Sequence, residues 1–159
     1  MVPTGSANSW RLVGQYHMKN KQIIAVVDDD DDDLFLIQEA FKVCLNEERV
    51  LIATSGMDLL SRLETVKTLP SFLLLDLNMP LMSGFEVLGK LRADPRYNLM
   101  PVLIFSTSNA QPDIDRAYEL GANSYVKKPD SFNDYKSVVE DLCNFWLRVA
   151  STPSSRFYR

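Results

Sequence analysis

Four short segments set acid, amide, hydroxyl and amine groups at the ends of apolar runs: Val27-Asp28-Asp29, Leu75-Asp76-Leu77-Asn78-Met79-Pro80, Phe105-Ser106-Thr107 and Val126-Lys127-Lys128-Pro129. If each run is a strand of an open parallel α/β sheet, the carboxyl ends of the strands meet along one edge. Three carboxylates, a hydroxyl and an ammonium then converge from distant parts of the chain. Carboxylates crowded together repel and favour protonation unless a cation joins them. A divalent ion with oxygen ligands is therefore implied, and Mg²⁺ is the ion of choice where protein ligands are few. Such a site suits phosphoryl transfer to a carboxylate. Asp76 would attack in line, while the charge spreading over the transferring oxygens is met by the ion and by Lys128.

The elements that must position these groups follow from apolar spacing. Ile23 to Val27 is a short strand, and Asp31 to Leu45 carries Leu34, Ile37, Ala40, Phe41 and Cys44 at helical intervals. Val50 to Ala53 is a second strand, after which Thr54 or Ser55 caps a helix holding Leu59, Leu60 and Leu63 that closes before Pro70. The run Phe72-Leu73-Leu74-Leu75 reads as a strand buried on both faces. Gly84 to Ala93 is the third helix, Pro101 to Phe105 the fourth strand, Asp113 to Leu120 the fourth helix stopped by Gly121, and Ser124 to Val126 the last strand. Ser131 to Val149 closes the pattern as one helix, with Phe132, Tyr135, Val138, Val139, Leu142, Phe145 and Trp146 on a broad apolar face. Five strand-helix repeats predict right-handed crossovers and a doubly wound parallel sheet covered on both sides. Residues 1–21 stand outside the alternation and are expected to be a leader or disordered extension, with His17-Met18 as its junction. Residues 22–149 form the domain, and residues 150–159 read as a tail.

Composition narrows the class. At 159 residues, with 46% apolar and 24% charged side chains, the chain can bury one ordinary core, which excludes a disordered or fibrous build. A net charge of −4 and a pI near 5.0 leave no basic stripe for nucleic acid. No apolar run is long enough for a membrane span, so a cytoplasmic location is expected. Cys44 and Cys143 lie within helical patterns and read as reduced thiols.

The four segments together resemble the receiver domains of two-component response regulators, especially the stand-alone, chemotaxis-receiver type, over residues 22–149. In that family an acidic pair ends the first strand, the phosphorylated Asp the third, a Ser or Thr the fourth and Lys-Pro the fifth. Intervals of 30 residues from Asp76 to Ser106 and 22 from Ser106 to Lys128 suit that layout. The resemblance implies a flavodoxin-like fold with strand order 2-1-3-4-5 and five helices. It makes Asp28 and Asp29 the acidic pair, Asp76 the phosphoacceptor, Ser106 and Tyr125 the switch residues, and Lys128 the amine. It further implies Mg²⁺ held by Asp29, Asp76 and the Asn78 backbone carbonyl, with Asp28 acting through a metal-bound water, and a cis Lys128-Pro129 bond. Partners implied are a histidine kinase or phosphotransfer protein upstream and a protein target downstream, the chain being a monomer or a phosphorylation-dependent dimer. The signal is expected to leave through the face of helix 4, strand 5 and helix 5. The chain is expected to catalyse only its own phosphorylation and slow dephosphorylation. Its one histidine, His17, lies outside the domain and so cannot be a phosphohistidine donor within the core.

Competing readings are weaker on the residues themselves. Asp30 to Asp33 fit a solvated acidic helix start favoured by the helix dipole. Asp28, Asp30, Asp32 and Glu39 fall at calcium-loop positions, but position six is Asp33 instead of the Gly its sharp turn needs. A haloacid-dehalogenase-like phosphatase would carry a second Asp two residues past the nucleophile, where this chain has Asn78. A binding scaffold derived from such a site would have lost Asp29, Asp76 or Lys128, and all three are present.

Overall fold

The computed structural model describes residues 22–45 and 49–153, so the leader, His17 and most of the tail lie outside the described residues. Five parallel strands, β1 (Ile24–Val27), β2 (Val50–Ala53), β3 (Phe72–Leu75), β4 (Val102–Ser106) and β5 (Ser124–Lys127), form one sheet in the order β2-β1-β3-β4-β5. Five helices alternate with them: α1 (Asp31–Phe41), α2 (Gly56–Thr65), α3 (Gly84–Ala93), α4 (Gln111–Glu119) and α5 (Phe132–Cys143). This is the flavodoxin-like arrangement expected.

The central strands are apolar along nearly their whole length because both faces of the sheet are covered: every residue of β1, β3 and β4 is buried. Alternate side chains serve different cores. Leu73 and Leu75 join Leu59, Leu63, Val87, Leu88 and Leu91, whereas Phe72 and Leu74 join Leu34, Ile37, Phe41, Tyr135 and Val139. Ser55 caps α2 and Ser131 caps α5, each accepting from the backbone N–H three residues on. Ser83 and Glu86 form a reciprocal capping box on α3. Gly121 ends α4 at φ 97°, the left-handed conformation in which glycine is least strained.

Two helix ends differ from expectation by four residues or more, the other boundaries by two at most. The first helix stops at Phe41, and residues 42–45 continue as turns in which both Cys44 and Leu45 donate to the Phe41 carbonyl. The last helix is not uniform to Val149. Beyond Cys143 it widens into a π-helical segment, Asn144–Val149, closed by a bond from the Ala150 N–H to the Phe145 carbonyl. This widening turns the stripe: Phe145 is exposed while Trp146 packs on Phe72 at 6.4 Å; Phe132, the first residue of α5, is also exposed. Cys143 is buried, Cys44 half-buried, and both are free thiols.

Candidate functional site

Sheet register brings the distant residues together. Val27 pairs with Ala53 on one side and Leu75 on the other, so the next residue of each central strand, Asp28 and Asp76, emerges at the same level. A bond of 3.1 Å from the Asp76 N–H to the Val27 carbonyl fixes that alignment. Likewise Ser106 pairs with Lys127, and the Lys128 N–H donates to the Ser106 carbonyl at 2.8 Å. Because neighbouring strand residues face opposite ways, Lys127 is exposed while Lys128 is 5% exposed. Asp28, Asp76 and Ser106 are buried beside it, and Asp29 is exposed.

Lys128 is the positive centre of the site. Its Nζ lies 2.5 Å from Asp28 Oδ2, 2.8 Å from Asp33 Oδ2 and 3.4 Å from Asp76 Oδ1. Burial works against the ammonium, but the hydrogen bonds to Asp28 and Asp33 more than offset it, and the group is held above the ordinary amine range. Burial also raises Asp28. For Asp76, burial and then the neighbouring Asp28 charge outweigh Lys128, and its pKa is pushed up to about 6. Asp28, Asp29 and Asp76 place carboxylate oxygens within 4.8 Å of one another. Three carboxylates, Asp28, Asp33 and Asp76, face one ammonium and Asp29 adds a fourth beside Asp28 and Asp76, so the uncompensated negative charge suits a divalent cation on the donor set of a hard oxygen-binding metal.

The backbone beneath Asp76 is tightly closed. Gly84, at the start of α3, donates its N–H to the Leu77 carbonyl at 2.9 Å, and a Cβ there would stand 2.2 Å from the Asp76 carbonyl oxygen. Only glycine permits this approach, a role that its place at a helix start does not announce in the sequence. In the same loop Leu81 is fully exposed at φ 67°, between Pro80 and Met82. A leucine in that conformation costs about 1–2 kcal/mol. Leu81→Gly is therefore expected to raise the urea midpoint by the equivalent of about 0.5–1 kcal/mol, the added chain entropy of glycine taking back part of the gain. An unchanged or lower midpoint would show that the loop is not strained at Leu81.

A second chain of contacts leads away from the site. Ser106 Oγ accepts from the Ser108 N–H at 3.2 Å, and the Tyr125 hydroxyl donates to the Ser108 carbonyl at 3.0 Å. Ser108 Oγ donates to Asp113 in α4. One residue of the β4–α4 loop thus touches the buried hydroxyl, the half-buried tyrosine and the next helix.

Two expectations need correction. The Lys128-Pro129 bond is trans, as is every peptide bond among the described residues. Trans is the lower-energy isomer even before proline, and the 2.8 Å bond to Ser106 already sets the direction of Lys128. The Asp30–Asp33 run is also not uniformly a solvated helix start. Asp30 caps α1, accepting from the N–H groups of Asp32 and Asp33, and Asp31 and Asp32 are exposed. Asp33 instead turns inward to Lys128 and accepts from the Tyr135 hydroxyl at 3.2 Å. The signal was present in the spacing, since Asp33 lies four residues before Ile37 and so on the same buried stripe as Ile37 and Phe41. Asn78 has an exposed side chain two residues beyond Asp76.

Comparison with known proteins decides the family. The sequence pattern of the response regulator receiver domain matches residues 24–140. The chain belongs to this family. The receiver is 29% identical to response regulator Rcp1 of Synechocystis sp. over 139 residues, covering 84% of this chain and 95% of that protein. It is 35% identical over 101 residues to a chemotaxis protein CheY homolog of Campylobacter jejuni, covering 62% of this chain and 75% of the homolog. Among solved structures, the phosphorylated cyanobacterial phytochrome response regulator RcpA superposes on the receiver with a TM-score of 0.78 at 33% identity, covering 84% of this chain and 99% of that one. The Mn²⁺-bound form of Rcp1 superposes with a TM-score of 0.74 at 29% identity, covering 83% and 99%. Receiver domains are signalling modules of two-component systems, in which an Asp is phosphorylated with the help of a divalent cation. No helix among the described residues of this receiver is long and apolar enough to cross a membrane.

Proposed function

We propose that this receiver, residues 22–149, accepts a phosphoryl group from a phosphohistidine donor onto Asp76 in a Mg²⁺-dependent reaction and signals through the face of α4, β5 and α5. The observation carrying this reading is the meeting, at one sheet edge, of a buried carboxylate with its pKa near 6, a buried ammonium 3.4 Å away and two further carboxylates. An oxygen of Asp76 forms a bond to phosphorus as the donor's P–N bond breaks, the imidazole leaving with the electron pair. Lys128 meets the negative charge of the transferring oxygens, and Ser106 donates its hydroxyl to one of them. Asp29, Asp76 and the Asn78 backbone carbonyl would hold Mg²⁺, with Asp28 acting through a water, and the ion would neutralise charge on the phosphoryl oxygens. With Asn78 in place of a general acid/base, the acyl phosphate turns over slowly, and the chain catalyses only its own phosphorylation and dephosphorylation. A hydroxyl drawn to the phosphoryl group must loosen its bond from the Ser108 N–H, and the same residue holds Tyr125. Support for Ser106 and Tyr125 as the switch lies in that shared residue.

The partners are a histidine kinase or phosphotransfer protein, whose phosphohistidine derives from ATP in the cytoplasm, and a downstream protein that reads the α4–β5–α5 face. The domain is a monomer or dimerises on phosphorylation. Phosphoramidate, a small P–N donor, should with Mg²⁺ produce an acyl phosphate detectable by ³¹P NMR and alter amide exchange along residues 111–119 and 124–127. Ser106→Ala should abolish the exchange response and Tyr125→Ala reduce it. A response confined to residues touching Asp76 would refute the switch.

Metal binding separates the acidic pair from the acidic helix start. In a Mg²⁺ titration, Asp29→Ala is expected to weaken binding about tenfold or more, and Asp32→Ala only slightly, because Asp32 faces solvent beyond the carboxylate cluster. The reverse order would move the ion to the helix start.

A further inference from the structure

We propose that Asp33 is a positioning residue for phosphoryl transfer, fixing the Lys128 ammonium so that its third N–H bond faces Asp76. This deepens the proposed function and rests on it. An ammonium has three donors. Asp28 takes one at 2.5 Å and Asp33 a second at 2.8 Å, leaving the third toward Asp76 Oδ1 at 3.4 Å, beside the place where a phosphoryl oxygen on Asp76 would lie. A lysine on four flexible methylenes would otherwise sample many rotamers. Two carboxylates on different elements, the end of β1 and the first turn of α1, triangulate its end group.

Asp33 is itself aimed. Its Oδ1 accepts from the Tyr135 hydroxyl at 3.2 Å, its backbone N–H donates to Asp30 Oδ1 at 3.0 Å, and only Oδ2 is turned to Lys128. Tyr135 is 3% exposed and meets Phe105 of β4 edge-on at 5.7 Å, so the α5 residue that orients Asp33 is locked in the core. Helix-dipole stabilisation accounts for exposed acids at a helix start, but it needs no inward turn and no tyrosine partner. Those two features mark Asp33 off from Asp31 and Asp32, and the order Tyr135, Asp33, Lys128, Asp76 makes the α1–α5 packing part of the reacting geometry.

The test is a double-mutant cycle read by titration with beryllofluoride and Mg²⁺, a phosphoryl mimic. Asp33→Asn keeps the acceptor for Tyr135 and removes the charge facing Lys128. It is expected to weaken mimic binding about tenfold, the size of coupling found between directly interacting groups. In a Lys128→Ala background the same change is expected to do nothing further, because Asp33 acts only through the ammonium. Tyr135→Phe retains the ring packing and should lower affinity in the same direction by a smaller factor. The Lys128 ζ-amine ¹⁵N signal, sharp in the wild type, should broaden in Asp33→Asn and Tyr135→Phe, a signature that a merely structural role would not produce. If the wild type fails to bind the mimic, the proposed function itself is wrong. If it binds but Asp33→Asn matches it, binds more tightly, or loses affinity equally with Lys128 absent, the positioning role is overturned.

Discussion

Lys128→Ala is expected to uncouple the receiver. Phosphorylation of Asp76 should slow by about 100-fold or more, the scale seen when one preorganised donor to a developing charge is removed. Whatever acyl phosphate forms should no longer alter amide exchange in α4 or β5. Lys127→Ala should leave both rate and response near wild type, because Lys127 points away from the site into solvent. Equal effects of the two substitutions would refute the geometry in which Lys128 alone enters the carboxylate cluster. Stability should follow the same division. Removing Lys128 leaves Asp28 buried and unpaired, and a loss of about 3–5 kcal/mol is typical when one partner of a buried ion pair is removed. Folding should therefore be checked by thermal melting before the rates are compared.

Asp76→Asn is expected to abolish phosphorylation and at the same time to stabilise the protein in the absence of divalent ions. Burial and the Asp28 charge raise the Asp76 pKa from 3.8 to about 6, so the folded state disfavours the ionised carboxylate. A raised acid binds its proton more tightly in the folded chain. Its destabilising contribution is therefore absent below about pH 4, grows as the pH climbs through about 6, and is complete above that. Near pH 7.5 the variant should exceed the wild type by about 1–3 kcal/mol. A tenfold tighter hold on the proton corresponds to roughly 1.4 kcal/mol, and the lost contact with Lys128 subtracts from the total. The advantage should shrink below pH 6, and added Mg²⁺ should narrow it by stabilising only the wild type. A variant less stable than wild type at pH 7.5 would contradict the burial and repulsion assigned to Asp76.

How far these properties are legible in the sequence depends on whether local patterns or tertiary packing set them. Apolar runs ending in Asp28, Asp76 and Ser106 identify three strands, because a strand buried on both faces leaves a continuous apolar signature, whereas the half-buried edge strand before Lys128 is a shorter and more polar run. Gly121 and the Ser55, Ser83 and Ser131 caps mark helix ends by short-range hydrogen bonding alone, which is local information. The last helix is different. Phe145 satisfies the period of an apolar stripe, but the π-helical segment after Cys143 rotates the register and its ring is exposed, while Phe132, at the first position of α5, is exposed before any turn of that helix has formed. Asp33 is masked by its neighbours: Asp30 to Asp33 read together as one solvated run, only the four-residue step to Ile37 sets Asp33 apart in the sequence, and its partners Lys128 and Tyr135 emerge with the packing of α1 against α5. Gly84 is silent, since its need arises from the Asp76 carbonyl, which lies outside the helix that Gly84 begins but presses against it in space.

Uptake of one phosphoryl group by Asp76, with the help of a divalent ion, is the step on which the switch and the Lys128 geometry both depend. Intact-mass measurement after incubation with acetyl phosphate and Mg²⁺, followed by borohydride reduction and peptide mapping, tests it most directly. The expected result is a mass gain of a single phosphoryl group that is lost in acid, disappears when Mg²⁺ is chelated, and maps after reduction to a homoserine at position 76. A phosphoryl group that persists in the Asp76→Asn variant, or one that forms equally well in chelator, would contradict the account.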